Sequence, residues 1–361
     1  MENMVIDTSF WQGRKVFLTG HTGFKGSWMS LWLKQLGAEV TGYSLSAPTS
    51  PSIFHDADVE QSLKRHIQGD INDLNLLTES MQLSQPEIVI HMAAQSLVRD
   101  SYIDPVNTYK TNVIGTVNLF ESIRKTSSVK VILNITTDKC YENKEWPWGY
   151  RENDPMGGHD PYSSSKGCSE LVSSAYRRSF FQESGTALAT ARAGNVIGGG
   201  DWAVDRIVPD AMRAFMSSES LLVRNPKAVR PWQHVLEPLS GYLLLCQQLF
   251  NNPKDYANAW NFGPTDKDAQ PVSFLADIMM YSWGDNAEWH VDDSNHPHEA
   301  FYLKLDCSKV RTVLKFEPIW GLERALDETV KWYKAWHNQD DINEFTLRQI
   351  ELYQRERMSN G

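Results

Sequence analysis

Closely spaced cysteines are absent from the sequence. The four cysteines lie far apart, at positions 140, 168, 246 and 307, so neither a Cys-x2-Cys zinc site nor a disulfide framework is expected. The sequence therefore gives no reason to expect a metal site. Free cysteines are typical of a reducing compartment, and we expect a cytoplasmic protein.

Long hydrophobic runs and basic stripes are also absent. No apolar stretch approaches the ~20 residues of a membrane span, and the N-terminal segment lacks the apolar core of a signal peptide. The 45 acidic and 35 basic residues give a formal net charge of −10. This balance disfavours binding to a nucleic-acid backbone.

The first half of the 361-residue chain alternates short apolar runs with segments of helical periodicity. This alternation predicts an α/β fold of Rossmann type, with helices covering a doubly wound parallel sheet. After Arg192, segments rich in glycine and proline indicate a smaller, mixed α/β lobe that closes over a cleft. Strands are expected at residues 15–19, 40–44, 66–70, 88–92, 129–135 and 187–192.

A glycine-rich loop follows the first predicted strand and precedes a helical segment. Its Gly-x2-Gly-x2-Gly spacing permits a tight turn and close approach of the backbone to a pyrophosphate, while the helix N-terminus supplies N–H groups. We therefore predict a dinucleotide site. The residues expected to form this part of it are Gly20, Thr22, Gly23, Phe24, Lys25 and Gly26.

The second predicted strand ends in a hydroxyl where a carboxylate is usual. An acidic residue about 20 positions after the glycine loop normally holds the adenosine ribose, but Ser44 takes its place here. No arginine lies nearby to select a 2′-phosphate, so NAD is favoured over NADP. We predict that NAD binds more weakly than is usual on this fold.

Later strand ends complete the predicted cofactor site. Asp70 would accept the adenine amino group or, alternatively, cap the following helix. Asn112 would tie its helix to the active-site strand or simply cap it. The cofactor-binding residues predicted from these segments are Asp70, Ile71, Ala93, Ala94, Gln95 and Asn112.

Five proton-handling side chains lie close together in the sequence. Thr137, Asp138 and Lys139 end an apolar run, at the edge where an open α/β sheet binds its ligands. Tyr162 and Lys166 share one face of a predicted helix, where a lysine ammonium would favour the tyrosine phenolate. An isolated pair with this spacing is usually a surface feature, but the neighbouring triplet and glycine loop favour an enzyme.

Together these motifs resemble the extended short-chain dehydrogenase/reductases that act on nucleotide-sugars. The resemblance covers most of the chain and includes His-x-Ala-Ala at 91–94 and Thr-Asn-Val-x-Gly-Thr at 111–116. The triplet is similar to that of the 4,6-dehydratases, which carry an acid pair that epimerases lack. Lys139 replaces the usual glutamate, as in the branch that uses CDP-glucose. Further segments similar to that branch are 138–141, 192–202, 230–239 and 295–299.

The resemblance implies an NAD-dependent hydro-lyase that converts CDP-D-glucose to CDP-4-dehydro-6-deoxy-D-glucose. This is an early step toward the 3,6-dideoxyhexoses of lipopolysaccharide O-antigen. Residues 1–194, with about 231–262, would form the NAD-binding Rossmann domain, and about 195–230 and 263–361 the nucleotide-sugar-binding lobe. Relatives pair the helices that begin near Thr111 and Ser163, so a homodimer or a homotetramer is expected.

The resemblance also assigns roles to the five side chains. Tyr162 takes the proton of the sugar 4-hydroxyl, Thr137 orients that hydroxyl, and Lys166 lowers the pKa of the tyrosine and holds the nicotinamide ribose. Asp138 donates a proton to the departing 6-hydroxyl. Lys139 is either the base that removes the C5 proton or a cation that holds the substrate or a catalytic water. An ion pair between Asp138 and Lys139 would oppose their roles, so they are expected to point to different sides of the sugar.

Substrate-binding residues are predicted mainly in the second half. Guanidinium groups suit a diphosphate, and Arg230 best matches the family position, although a loop-anchoring hydrogen bond is the alternative for each candidate. The candidates are Asn195, Arg206, Arg224, Arg230, Asn261 and His298. The rival functions are a dehydratase or epimerase of a dTDP-, GDP- or UDP-linked hexose and a cofactor-binding regulator without catalysis.

Overall fold

The structure, a computed structural model, describes residues 4–284, 287–292, 294 and 302–359. Its strands are β1 (Lys15–Thr19), β2 (Glu39–Ser44), β3 (Arg65–Gln68), β4 (Ile88–His91), β5 (Val131–Ile135), β6 (Ala187–Ala193), β7 (Val196–Ile197), β8 (Leu221–Val223), β9 (Val229–Pro231), β10 (Gln233–His234), β11 (Ala259–Phe262), β12 (Ala269–Pro271) and β13 (Trp289–Val291).

Helices alternate with these strands. They are α1 (Thr8–Trp11), α2 (Phe24–Gln35), α3 (Ile53–Asp56), α4 (Leu74–Ser84), α5 (Val98–Ile103), α6 (Pro105–Tyr109), α7 (Gly115–Arg124), α8 (Pro161–Tyr176), α9 (Gln182–Ser184), α10 (Ile207–Met216), α11 (Leu236–Asn251), α12 (Pro253–Tyr256), α13 (Val272–Trp283), α14 (Ser308–Val313), α15 (Leu322–His337) and α16 (Ile342–Ser359). Short 3-10 helices lie at Val59–Ser62, Asp138–Cys140 and Asp266–Asp268, and π-helical turns at Lys110–Ile114 and Arg177–Phe181.

Seven parallel strands form the central sheet, in the order β11-β6-β5-β4-β1-β2-β3. The chain runs outward from β1 to β3 on one side and from β4 to β11 on the other, which is the topology of a doubly wound sheet. The predicted fold class is therefore confirmed. All residues of β5 and β6 are buried, as expected for strands covered by helices on both faces.

Some predicted elements differ from the structure. β3 ends at Gln68, so Asp70 lies in the following loop, and β11 was not predicted as a strand. Near the C-terminus, α16 buries Ile350 and Tyr353. The Tyr353 hydroxyl donates to Glu237 Oε2 at 2.7 Å, which attaches α16 to α11.

Three two-stranded sheets lie outside the central sheet: β10 with β7, β12 with β9 and β13 with β8. Within the described ranges, no helix has both the length and the apolar character that crossing a membrane requires. The same part of the chain contains no group of three or more His, Cys, Asp or Glu side chains arranged to hold a metal ion.

Candidate active site

The carboxyl ends of the central strands open into one cavity of about 1460 Å³. It is larger than the roughly 300–1,000 Å³ typical of a site for one drug-sized ligand, so it has room for a dinucleotide beside a second ligand. Its lining combines the glycine loop, the catalytic candidates just after β5 and on α8, and three arginines from the second half of the chain.

The glycine loop fits a dinucleotide. Gly20 has a φ of 75°, and a β-carbon there would lie 2.6 Å from Ala93 N, so only glycine permits this approach of the loop to the end of β4. Gly23 is the N-cap of α2, and the first residues of that helix line the cavity. Free N–H groups and the positive end of the helix dipole are thereby available for a pyrophosphate.

Ser44 lines the cavity and contacts the glycine loop. Its Oγ lies 2.8 Å from Thr22 Oγ1, and the Thr22 hydroxyl donates to Leu45 O at 2.9 Å. Because Thr22 uses its one proton in this bond, Ser44 is the donor in the hydroxyl pair. Its remaining lone pairs can accept a hydrogen bond from a ribose hydroxyl, but without the charge of a carboxylate.

Four of the other residues predicted to bind the cofactor line the cavity: Asp70, Ile71, Ala93 and Ala94. The side chain of Asp73, and not that of Asp70, caps α4 by accepting from Leu76 N. The alternative that Asp70 is the helix cap is therefore wrong.

Asn112 and Gln95 are not among the cavity-lining residues. Asn112 Oδ1 accepts from Gln95 N, and its Nδ2 donates to Gln95 O and Ser165 Oγ, each at 2.9 Å. The Gln95 side chain donates to Leu97 O. Neither side chain therefore faces the cavity, and their assignment to the cofactor site stays a prediction. Asn112 ties its π-helical turn to the loop after β4 and to α8.

Thr137 stands at the centre of the catalytic candidates. It caps the 3-10 helix Asp138–Cys140, and its hydroxyl donates to Asp138 Oδ1 at 3.0 Å. The Thr137 side chain also acts on the Tyr162 phenol, whose pKa it lowers. The hydroxyl and carboxyl at the end of β5 thus lie beside the phenol on α8, as the sequence predicted.

Burial dominates the acid–base properties of the pair on α8. It raises the pKa of Tyr162 to about 12, against the opposing effects of the Thr137 side chain and the charge of Arg206. Burial, followed by the charge of Lys25, lowers the pKa of Lys166 to about 8. The Lys166 ammonium donates to Ile135 O at 3.2 Å. Arg206 is thus a cation that favours the tyrosine phenolate, and the role of Lys166 in lowering the pKa of the tyrosine stays a prediction.

Asp138 is 1 % exposed, and its Oδ2 has no hydrogen-bond partner among the described residues. Lys139 is half-buried and lines the same cavity. The two side chains therefore do not form an ion pair through Oδ2, which is compatible with roles on different sides of a ligand.

The three arginines converge on the cavity. Arg206 pairs with Asp201 at 2.8 Å, and Arg224 with Asp205 at 2.9 Å. Arg230 is buried and donates to Val229 O. Three guanidinium groups around one cavity suit an anionic ligand such as a diphosphate.

The two asparagine candidates and His298 have different outcomes. Asn195 lines the cavity with a φ of 44°, and its Oδ1 is buried without a partner in the described ranges. Asn261 is fully buried outside the lining, and its amide bonds Tyr141 and two backbone carbonyls, so its predicted contact with substrate is wrong. His298 lies outside the described residues.

Sequence reasoning missed two residues that shape this site. Asp201 is buried and holds Arg206, while Gly194 packs against Asp138. Both lie in the segment 192–202, which was noted only for its resemblance. Its run of glycines before an aspartate was the available signal.

Comparison with known proteins agrees with this geometry. Residues 17–329 match the family model described as GDP-mannose 4,6 dehydratase. A CDP-glucose 4,6-dehydratase of Salmonella typhimurium is 54% identical over 97% of this chain and 98% of its own. A dTDP-glucose 4,6-dehydratase of Streptomyces antibioticus is 27% identical over 75% and 77%.

Solved structures show the same fold. Epimerase Mth375 of Methanothermobacter thermautotrophicus has a TM-score of 0.80 at 19% identity, covering 95% of this chain and 96% of its own. The dTDP-glucose 4,6-dehydratase of Bacillus anthracis, solved in complex with NAD, has a TM-score of 0.74 at 20% identity, covering 91% and 99%. The chain therefore belongs to the GDP-mannose 4,6 dehydratase family, which confirms its resemblance to the nucleotide-sugar dehydratases.

Proposed function

We propose that the protein is an NAD-dependent hydro-lyase that converts CDP-D-glucose to CDP-4-dehydro-6-deoxy-D-glucose and water. The observation that carries the proposal is the position of Asp138 and Lys139 in the same cavity as Tyr162 and Lys166. Oxidation at C4 alone, as in an epimerase, needs no second acid–base pair. The name of the Salmonella typhimurium relative supports the choice of CDP-glucose.

The residues that would hold NAD are those of the cavity wall around the glycine loop. The loop and the N-terminus of α2 would bind the pyrophosphate, Ser44 the adenosine ribose, and Lys166 the nicotinamide ribose. Bound NAD would supply a hydride acceptor for C4 and a hydride donor for C6, so that the reaction has no net redox change. Ala93 and Ala94 offer no bulky side chain against this ligand.

The proton transfers follow from the side chains. Tyr162 takes the proton of the 4-hydroxyl, since the charge of Arg206 favours the phenolate. The resulting 4-ketone acidifies the C5 hydrogen, which Lys139 removes as a proton. Asp138 donates a proton to the 6-hydroxyl, which leaves as water. Reprotonation at C5 completes the product.

The substrate diphosphate would lie against the arginines of the cavity. Arg206 and Arg224 reach it from the segments after β7 and β8, and Arg230 reaches it from β9 itself. Asn195 Oδ1 has no hydrogen-bond partner among the described residues, so the amide of Asn195 would be available to the phosphate or the sugar. The proposed nucleotide-sugar lobe, about 195–230 and 263–361, contains these residues.

An apolar face supports a homodimer as the assembly. Ile103 is 83 % exposed and Val106 is 75 % exposed, and Ile114 and Leu171 are also exposed. These residues lie on α5, α6, the π-helical turn and α8, which contact one another. Large adjoining apolar patches are uncommon on monomers. Val106→Lys with Leu171→Lys is expected to convert a dimer to monomers in sedimentation, whereas an unchanged assembly would contradict this interface.

The free cysteines and a CDP-sugar relative support the proposed cellular setting of the reaction. All four cysteines are free thiols, which suits a reducing cytoplasm. The product would enter the synthesis of 3,6-dideoxyhexoses for a lipopolysaccharide O-antigen. A CDP-paratose 2-epimerase of Salmonella typhi is a relative at 26% identity, which supports the CDP-sugar context.

A direct comparison of substrates tests the proposal. The protein with added NAD is incubated with CDP-glucose, dTDP-glucose, GDP-mannose and UDP-glucose, and the 4-keto-6-deoxy product is measured. Turnover of CDP-glucose at least about tenfold faster than of the others is expected. A C4 epimer as product, or preference for another nucleotide, would contradict it.

A further inference from the structure

A buried ion pair lies behind the catalytic residues. Glu170 and Arg192 are 5 % and 3 % exposed, with 2.8 Å between Arg192 Nη2 and Glu170 Oε2. Neither residue lines the large cavity, so neither contacts the substrate in the chemistry described above. Two fully desolvated charges in good geometry hold each other in a fixed position, and removal of one leaves the other uncompensated.

The ion pair makes hydrogen bonds to the residues that flank both ends of the catalytic segment 137–140. Thr136, directly before the segment, donates its hydroxyl to Glu170 Oε1. Tyr141, directly after it, accepts at its hydroxyl from Arg192 Nη1 at 2.7 Å. The short 3-10 helix that carries Asp138 and Lys139 is therefore fixed at each end to one partner of the ion pair.

The same pair also fixes the catalytic helix. Glu170 lies four residues after Lys166 and eight after Tyr162 on α8, so the three side chains share one helical face. Arg192 and Thr190, which donate to Glu170 Oε2, both lie on β6. One carboxylate thus joins α8 to the ends of β5 and β6.

From this geometry we infer that Glu170 is a positioning residue, which, held by Arg192, sets the placement of Thr137 and Asp138 relative to Tyr162. The inference rests on the proposed function, because it concerns the residues of that reaction. Displacement of reacting groups by about 1 Å can lower a rate roughly 100-fold. The effect is expected in kcat, since the substrate does not touch the pair.

Two matched threonines provide the test. Thr136 and Thr190 are both buried, and each donates a hydroxyl to a different oxygen of the Glu170 carboxylate. Thr136, unlike Thr190, adjoins the catalytic segment and also lines the large cavity, so the KM measured beside kcat reports any direct effect on the ligand. We expect Thr136→Val to lower kcat for CDP-glucose by about 10- to 100-fold with KM changed less than about twofold. Thr190→Val should stay within about twofold of the wild-type kcat, with a similar fall in thermal stability.

Tyr141→Phe is the second variant, for use if Thr136→Val does not fold. It removes the hydroxyl that accepts from Arg192 but keeps the buried ring, and the same selective loss of kcat is expected. Equal loss of kcat in Thr136→Val and Thr190→Val, or a wild-type kcat in folded Thr136→Val or Tyr141→Phe, would overturn the inference. A wild-type protein that does not turn over CDP-glucose would contradict the proposed function instead, so the two failures are distinguishable.

Discussion

Gly194 packs directly against the carboxyl group of Asp138. A β-carbon on Gly194 would lie 1.7 Å from Asp138 Oδ2, a distance that no structure accommodates without movement. The end of β6 therefore fixes the side-chain position of the residue that we propose as the acid for departure of water. The glycine is required by this close contact.

Gly194→Ala should displace the Asp138 side chain. We expect a fall in kcat of about 100-fold and, from overpacking in a buried site, a loss of about 1–3 kcal/mol in the free energy of unfolding. Steady-state kinetics and denaturant unfolding measure both. Gly321→Ala is the control, because its β-carbon would meet its nearest neighbour at 3.4 Å. Full activity in Gly194→Ala would contradict the conclusion that contact with Gly194 fixes the Asp138 side chain.

The two roles open to Lys139 are separated by Lys139→Arg. Arginine keeps the positive charge but cannot act as a neutral base. If Lys139 removes the C5 proton, both Lys139→Arg and Lys139→Ala should slow exchange of the C5 hydrogen with deuterated solvent by about 100- to 10,000-fold. Proton NMR of the sugar follows this exchange. Retention of exchange in Lys139→Arg would show that the side chain acts through its charge.

NAD affinity should respond to the residue at the end of β2. In the wild type, Ser44 offers a ribose only a neutral hydroxyl that also bonds Thr22. Ser44→Asp should strengthen NAD binding by about tenfold, because hydrogen bonds to a carboxylate are stronger than those to a hydroxyl. Titration calorimetry of the apo protein measures the change, with Ser46→Asp as the charge-matched control. Nanomolar affinity in the wild type, or no gain in Ser44→Asp, would contradict the assigned role of Ser44.

The free energy of unfolding should depend on pH because of Glu237. Burial raises the pKa of this carboxyl group from 4.5 to about 7. A raised folded-state pKa means that the stabilisation is fully present below pH 4.5 and is lost as the pH rises through 7. Relative to Glu237→Gln, the wild type should lose about 2 kcal/mol between pH 5.5 and 8.

Unfolding of the two proteins in urea at several pH values gives this difference. The buried histidines, including His91 with a pKa lowered by burial to about 3, are common to both proteins and cancel. A difference that does not change with pH would show that Glu237 is ionised throughout.

The strands of the sheet were predictable because their apolar runs are short and bounded. β1 was predicted with its observed limits, whereas β11 was missed. The residues of β11 include the buried Asn261, whose amide bonds groups far away in the sequence. Such a polar residue in a short segment gives no local signal of a central strand.

The grouping of the catalytic candidates was predictable because their chemistry lies in local motifs. Thr137, Asp138, Tyr162 and Lys166 line the same cavity. The sequence could not decide whether Asn112 ties its helix to the active-site strand or caps it, and only the structure shows that Asn112 holds the loop after β4. Nor could it reveal the balance of burial and charge at Tyr162, which depends on Arg206 from a distant segment.

Transfer of deuterium within one sugar is the most direct test of an intramolecular dehydration. CDP-glucose labelled with deuterium at C4 is incubated with the protein and NAD, and the product is examined by mass spectrometry and NMR. If the hydride taken from C4 returns to C6, the product is CDP-4-dehydro-6-deoxyglucose with the deuterium at C6, without net accumulation of NADH. A product without deuterium at C6, a C4 epimer, or stoichiometric formation of NADH would contradict it.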